Sequence, residues 1–264
     1  MLENLLEEAG LRGLPLDKKR AIVREYLHIL ILKAMYRERS AKELFFTGGT
    51  ALRLIYELPR FSEDLDFDAS TFSGDLMKRL LESIEADLAK EGFPSECAFK
   101  ETESLFRARV KLTQALQYYG LSPLKSEKLE IKIEIYRPPW RLKGRSEILQ
   151  GFGQAFPILL LEESELLAEK MLALFKRKRG RDIYDLFFML RRKFPFDPEV
   201  LRSRGLPDSI EKALESFLLE LGPEELKALR RQIEPFLFRA EEGEWIEKTP
   251  EYFRVFLGRE RLHK

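Results

Sequence analysis

The sequence predicts an α/β (α+β) protein in which a mixed sheet flanked by helices is followed by a helical C-terminal domain. Three observations carry that expectation. Residues 44–68 run through a short apolar strand, a glycine turn, a helix and a second strand. Residues 96–136 hold three segments in which apolar and polar residues alternate. Beyond residue 161 the apolar positions recur at helical spacing, with prolines marking the breaks. The expected boundaries are 1–160 for the sheet domain with its N-terminal helix and 161–264 for the helical domain.

In chain order, Pro15 and Asp17 open a helix that runs to about Glu38, with Ile22, Val23, Leu27, Leu30 and Ile31 at helical spacing. His28 lies within it and is given a core-facing or half-exposed place and no functional role. Leu44, Phe45 and Phe46 read as a strand, Thr47–Gly49 as a turn, Thr50 to about Glu57 as a helix, and Pro59 with Arg60 as a loop. A second strand carries Ser62, Asp64, Asp66 and Asp68. Ser73–Glu91 reads as a helix that Gly92 ends. Glu96–Lys100, Leu105–Thr113 and Lys128–Tyr136 read as strands, the second with a basic outer face of Arg107, Arg109 and Lys111. Gly144–Pro157 reads as loop and Ile158–Leu161 as a short apolar strand or helix lead-in. Glu163–Lys176 and Arg181–Arg192 read as helices joined by a Lys-Arg loop. Further helices are expected at Pro198–Arg204, Pro207–Leu221, Pro223–Pro235 and Pro250–Arg261, with Trp245, Tyr252, Phe253 and Phe256 as core.

Composition narrows the chemistry. A chain of 264 residues is long enough for one large domain or two small ones. The net charge of +1 means that affinity for nucleic acid has to come from a local patch. One cysteine, Cys97, excludes an internal disulfide and a multi-cysteine metal site, and two histidines exclude a histidine-rich zinc site. A bound metal must therefore be held mainly by carboxylates. There is no long uncharged apolar run for a membrane span. The N-terminal residues MLENLLEEAG are acidic where a secretory signal would be basic, so the expected location is cytoplasmic.

The stretch with most chemistry is FTGGTALRLIYELPRFSEDLDFD, residues 46–68. Side chains alternate across a strand, so Asp64 and Asp66 point to one side, roughly 6–7 Å apart along it. Leu65 and Phe67 take the opposite, apolar face. Two carboxylates so close repel unless a cation sits between them, and oxygen ligands suit Mg²⁺ or Mn²⁺. The glycine turn supplies side-chain-free backbone and helix N–H groups that can cradle phosphate oxygens. Acidic residues on a strand are also the ordinary choice for a solvated face, and a Gly-Gly pair is the ordinary choice for a turn. The combination points to a nucleoside triphosphate.

GGTALRLIY (48–56) followed by RFSEDLDFD (60–68) resembles the signature of the AbiEii/AbiGii toxin family, nucleotidyltransferases within the DNA polymerase β-like superfamily. The resemblance covers roughly residues 40–190. It implies a polymerase β-like core, with Gly48, Gly49, Thr50 and Ser62 binding the nucleotide and Asp64 and Asp66 binding metal. That superfamily takes a third carboxylate from a neighbouring strand, and Lys132-Ile133-Glu134-Ile135 is similar to its pattern. Glu130 shares the face, and a plain Glu/Lys cross-strand ladder remains the alternative. AEKMLAL (168–174) ahead of RDIYDL (181–186) resembles the family's second signature. By itself, Lys170 beside an apolar stripe either snorkels outward or meets an acidic or phosphate partner. The resemblance implies that Lys170 contacts the triphosphate and that Asp182 or Asp185 helps place substrate or the lysine. For function the resemblance implies metal-dependent transfer of a nucleotide from an NTP to RNA, the tRNA 3′ end foremost. The enzyme would be the toxin of a toxin–antitoxin system with a cognate antitoxin partner. Transfer to a protein or small molecule, and a non-catalytic nucleotide-binding module, are the alternatives.

Overall fold

The structure is a computed structural model that describes residues 2–124, 126–253 and 255. It separates into two compact units. The first comprises the chain up to Glu57 and Phe61–Leu161, and the second comprises Leu58–Arg60 and the chain from Glu162 onward.

In the first unit, helices α1 (Leu2–Leu11) and α2 (Lys19–Arg37) precede strand β1 (Leu44–Thr47), helix α3 (Gly48–Tyr56) and strand β2 (Asp64–Ala69). Helix α4 (Gly74–Lys90), strands β3 (Ser95–Glu101) and β4 (Leu105–Leu112), the short α5 (Ala115–Tyr118) and strands β5 (Leu129–Tyr136), β6 (Gly144–Gly151) and β7 (Gln154–Leu161) come next. The strands make one seven-stranded mixed sheet in the order β3-β4-β5-β2-β1-β7-β6. The β2–β5 and β1–β7 pairs are parallel, and the remaining pairs are antiparallel. This is the α/β architecture that the alternating segments call for.

The central pair shows why the sequence folds this way. Leu65 and Phe67 of β2 are buried on one face, where Phe67 packs against Phe46 of β1 at 5.4 Å between ring centroids. Helix α2 closes that face and is buried on nearly every side from Ile22 to Tyr36, as expected of a helix enclosed by a sheet and its neighbours. The Tyr36 hydroxyl lies 2.8 Å from the Leu44 carbonyl and 3.1 Å from the Leu159 carbonyl, tying the helix to the β1–β7 junction. Two polar groups inside α2 are satisfied by specific partners. Glu25 accepts from Arg53 of α3 at 2.9 Å, an ion pair nearly closed to water. His28 places Nε2 3.1 Å from the Glu63 carbonyl, one residue before β2.

Several expected elements shift. Helix α1 has no counterpart in the expected scheme, and α2 starts at Lys19 rather than near Pro15. Residues 144–157, expected as loop, form the β6–β7 hairpin. Their glycines and polar residues hide its alternation, and the turn is Phe152-Gly153, both at positive φ, the geometry of the two-residue turns that match strand twist. Ser73 caps α4, accepting from the Leu76 backbone N–H.

The second unit is helical: α6 (Glu163–Arg177), α7 (Gly180–Arg191), α8 (Pro198–Ser203), α9 (Ile210–Leu219) and α10 (Pro223–Ile233), with short helical turns after it. Gly180 lets α7 start hard against α10, since a Cβ there would overlap the Leu229 carbonyl. Glu165 of α6 pairs with Arg204 just past α8, both nearly inaccessible. The expected Pro250–Arg261 helix lies largely outside the described residues, as does Phe256.

Burial, with the nearby Arg24 charge adding to it, pushes His28 down to about 3 against an ordinary 6.5. Below 6.5 the unfolded chain therefore takes up a proton that the folded chain refuses. This stability contribution is complete above pH 6.5 and is lost as pH falls toward 3. Between pH 7.5 and 5 the wild type is expected to lose about 2 kcal/mol more than His28→Gln. Urea unfolding of both proteins at the two pH values measures it; parallel losses would refute a titrating buried histidine.

Candidate active site

Every residue expected to hold nucleotide in the first unit lies on β1, α3, the segment before β2, or β2 itself. Gly48 and Gly49 form the first turn of α3 rather than a separate loop, so backbone N–H groups of a helix start are presented at the end of β1. Gly48 has φ +75°, a conformation that glycine adopts freely and side-chain-bearing residues resist. A Cβ there would also lie 2.8 Å from both Cβ and Cγ of Asp66 and overlap its carboxylate. Glycine is thus required twice over, by the turn and by the close approach of Asp66. Thr50 is buried and its hydroxyl donates to the Asp64 carbonyl at 2.5 Å, pinning the start of β2 to α3. Ser62 is half-buried and precedes β2 instead of lying on it.

The strand register then places the acids. Asp66 stands opposite Thr47 on β1 and Glu134 on β5, and Asp64 stands opposite Lys132. Paired positions on neighbouring strands project to the same face, about 4.8 Å apart. Asp64, Asp66 and Glu134 therefore share the face opposite Leu65, Phe67 and Ile133. Glu130 is paired with Lys111 and lies beyond the start of β2, so Glu134 is the glutamate level with the aspartates. The Glu134 carboxylate is turned to Arg107, whose Nε is 3.0 Å from its Oε1. For that reason the three acids do not already surround a point. Among the described residues, no group of three or more His, Cys, Asp or Glu side chains is arranged to hold a metal ion. The donor set itself suits a hard divalent cation: carboxylate oxygens only, two of them on one rigid strand face. Glu134 would have to exchange Arg107 for the cation.

In the second unit a separate cluster forms around Asp185 on α7, which is fully buried. Arg60 grips it with two hydrogen bonds of 2.7 Å, from Nε and from an Nη, and Lys170 Nζ of α6 lies 2.6 Å from Oδ2. Burial alone would raise the Asp185 carboxyl, but the charges of Arg60 and Lys170 outweigh it and hold it down at about 2. Asp185 is therefore ionised at any working pH. Lys170 does not snorkel: it is itself buried, with the acidic partner that the sequence allowed as one of two alternatives. Asp182, one turn earlier, is also buried but turns to Arg177, 3.4 Å away. The two aspartates are thus separated by their partners, which spacing could not do.

In sequence Arg60 reads as a loop residue. It is 3% exposed, forms a β-bridge with Leu237, and follows Pro59, whose carbonyl accepts from the Phe238 N–H at 3.0 Å. The one available signal was its position inside the RFSEDLDFD block. Its partner lies 125 positions away and no local pattern marks it.

Comparisons with known proteins place the family and the fold. The model of the family described as nucleotidyl transferase AbiEii toxin, type IV toxin–antitoxin system, matches residues 30–252. JHP933 from Helicobacter pylori has a similar structure at a TM-score of 0.60 and 19% identity, covering 92% of this chain and 96% of its own. MenT4, a nucleotidyltransferase toxin from Mycobacterium tuberculosis, is similar at a TM-score of 0.59 and 20% identity, covering 97% of this chain and 89% of its own. At such identities these likenesses speak for the fold. No curated protein matches the sequence. The family model spans most of the chain, including both acidic clusters, and the chain belongs to the AbiEii nucleotidyltransferase toxins of type IV toxin–antitoxin systems.

Proposed function

We propose that this nucleotidyltransferase moves a nucleotide from an NTP to an RNA acceptor, the tRNA 3′ end foremost, in a metal-dependent reaction. The observation that carries the proposal is the close approach of Gly48, at the α3 start, to the Asp66 carboxylate, with Asp64 and Glu134 on the same face of the sheet. Phosphate-binding backbone and cation-binding acids are what an NTP complexed with a divalent ion requires. The family brings with it an NTP substrate and an antitoxin partner.

In this reading the backbone of Gly48 and Gly49 and the hydroxyls of Thr50 and Ser62 hold the β- and γ-phosphates. Asp64, Asp66 and Glu134 would hold Mg²⁺ or Mn²⁺. When bound, such an ion polarises the α-phosphate and stabilises the leaving pyrophosphate. The acceptor hydroxyl oxygen forms a bond to the α-phosphorus as the bond to the β-phosphate oxygen breaks, and pyrophosphate leaves. A carboxylate of the cluster takes the hydroxyl proton. Lys170 neutralises phosphate charge, and Asp185 with Arg60 keeps its ammonium in place, which makes Asp185 a positioning residue. Asp182, in the first turn of α7, is assigned to holding Arg177 at the end of α6.

Among the described residues no helix is long and apolar enough to cross a membrane, and a cytoplasmic reaction with RNA is the setting proposed.

Purified protein incubated with Mg²⁺, total tRNA and each α-labelled NTP in turn should label tRNA, and label on protein alone would move the acceptor. Asp64→Asn and Asp66→Asn are each expected to reduce transfer at least ~100-fold, the scale of losing a main electrostatic contributor. Their thermal midpoints should stay close to wild type, because both side chains are only half-buried and the substitution keeps their shape. A similar loss with a collapsed midpoint would assign the aspartates to structure.

Lys170→Met and Asp185→Asn separate the second cluster. Lys170→Met leaves Asp185 paired with Arg60 and should lower transfer ~100-fold while folding survives. Asp185→Asn leaves two buried cations without their anion and should cost about 3–5 kcal/mol in chemical denaturation. Full activity in Lys170→Met would end the phosphate role for this lysine.

A further inference from the structure

We propose that the outer face of β3, β4 and β5 seats the phosphate backbone of the acceptor nucleic acid and leads its reactive end to Asp64 and Asp66. The proposal rests on the nucleotidyl-transfer reading above and adds the surface that the acceptor uses.

The strand register carries it. Across the sheet, residues on the outer face fall into rows perpendicular to the strands. One row runs Ala98, Arg109, Lys132, Asp64, from β3 through β4 and β5 to β2. The next runs Lys100, Arg107, Glu134, Asp66 and ends at Thr47 beside the glycine turn. The cationic rows therefore lead straight into the proposed catalytic acids, one strand spacing at a time. At about 4.8 Å per strand, Lys100 stands roughly 14 Å from Asp66. A depression of about 780 Å³ opens over this part of the sheet and reaches Glu134.

Charge favours a polyanion there. The face carries Lys100, Arg107, Arg109, Lys111, Lys128 and Lys132 against Glu96, Glu130 and Glu134, six cations to three carboxylates. Glu96 is neutralised by Lys128 at 2.9 Å. Arg109 stands directly opposite Lys132, a like-charge cross-strand pair, and the carboxylate near it, Glu130, reaches only to 3.8 Å from the adjacent row. Like charges facing across strands cost stability, which a solvated face has no reason to accept. The whole chain is close to neutral, so this excess is local, as a binding patch requires. The opposite faces of β4 and β5, with Phe106, Ala108, Val110 and Ile133, are apolar and buried, which holds their cations in fixed register.

The test is binding of fluorescent tRNA to full-length protein over a salt series, alongside transfer kinetics. Arg109→Ala/Lys111→Ala/Lys132→Ala should weaken binding at least tenfold at low salt. It should also lower the slope of log affinity against log salt by about two to three, one phosphate contact per removed charge. In transfer the loss should fall mainly on KM for RNA. The control Lys78→Ala/Arg79→Ala/Lys90→Ala removes the same charge from α4 and should bind as wild type. Wild-type affinity and slope in the sheet-face variant, or equal losses in the control, would overturn the proposal. Asp66→Asn separates the two readings, because it should reduce transfer at least ~100-fold while tRNA still binds. If the wild type transferred nothing to RNA yet lost tRNA affinity only in the sheet-face variant, the surface would stand and the acceptor assignment would fall. Retention of an acidic protein in place of tRNA would refute the nucleic-acid occupant.

Discussion

A strand with aspartates at alternating positions can sit in the middle of a sheet only if its backbone is fixed independently of its side chains. In β2 this is done from three directions. Thr50 holds the Asp64 carbonyl, His28 holds the Glu63 carbonyl, and the ladders to β1 and β5 close both edges. Leu65 and Phe67 anchor the apolar face, which leaves the acidic face no freedom to rotate away. The electrostatic cost of Asp64 beside Asp66 is thus carried by contacts made elsewhere. Glycine at 48 obeys the same constraint, because any side chain there would displace Asp66.

The second unit meets a similar demand with ion pairs in place of a ladder. Asp185 binds two cations, so the buried trio carries one net positive charge, and removing one cation would leave a neutral pair whereas removing the carboxylate would leave two buried cations. Arg60 satisfies the carboxylate with its planar fork, so the lysine can face its partner with a single contact and keep two donors for others. Arg204 with Glu165 shows the unit using the same device again, away from the residues assigned to chemistry. A buried pair is poor evidence for stability by itself; what it fixes here is the position of charged atoms.

The sequence made the local periodicities legible and left the long-range pairings hidden. The α/β class, the strand–turn–helix–strand unit and the same-face placement of Asp64 and Asp66 all derive from spacings of two and about 3.6 residues. Glu134 and Glu130 lie on one face of β5 and read alike in sequence; only the register with β2 shows that Glu134 is the one level with the aspartates. Asp182 and Asp185 share a helix face in the same way, and burial gives them different partners. Arg60 was invisible because a loop arginine looks solvated until its partner is known. The β6–β7 hairpin was missed because Gly144, Gly151 and Gly153 read as loop punctuation, although two of them lie in strands.

The acidic and basic residues of the sheet's outer face pose one electrostatic problem. In the proposed reaction an NTP with its cation and a nucleic-acid acceptor would both bring phosphate charge toward the same strands, and the two would repel each other in water. A surface of one sign could hold one of them and would reject the other's counter-charges. The rows reconcile the two demands by grading charge along a single direction: Lys100 and Arg107, then Glu134, then Asp66, then the helix start at Gly48. Arg107 against Glu134 marks where the gradient changes sign. That contact lies at an exposed position, where an ion pair is worth little and is exchanged readily. Either member can therefore change partner at small cost, which is what a boundary between a cation site and a phosphate track requires.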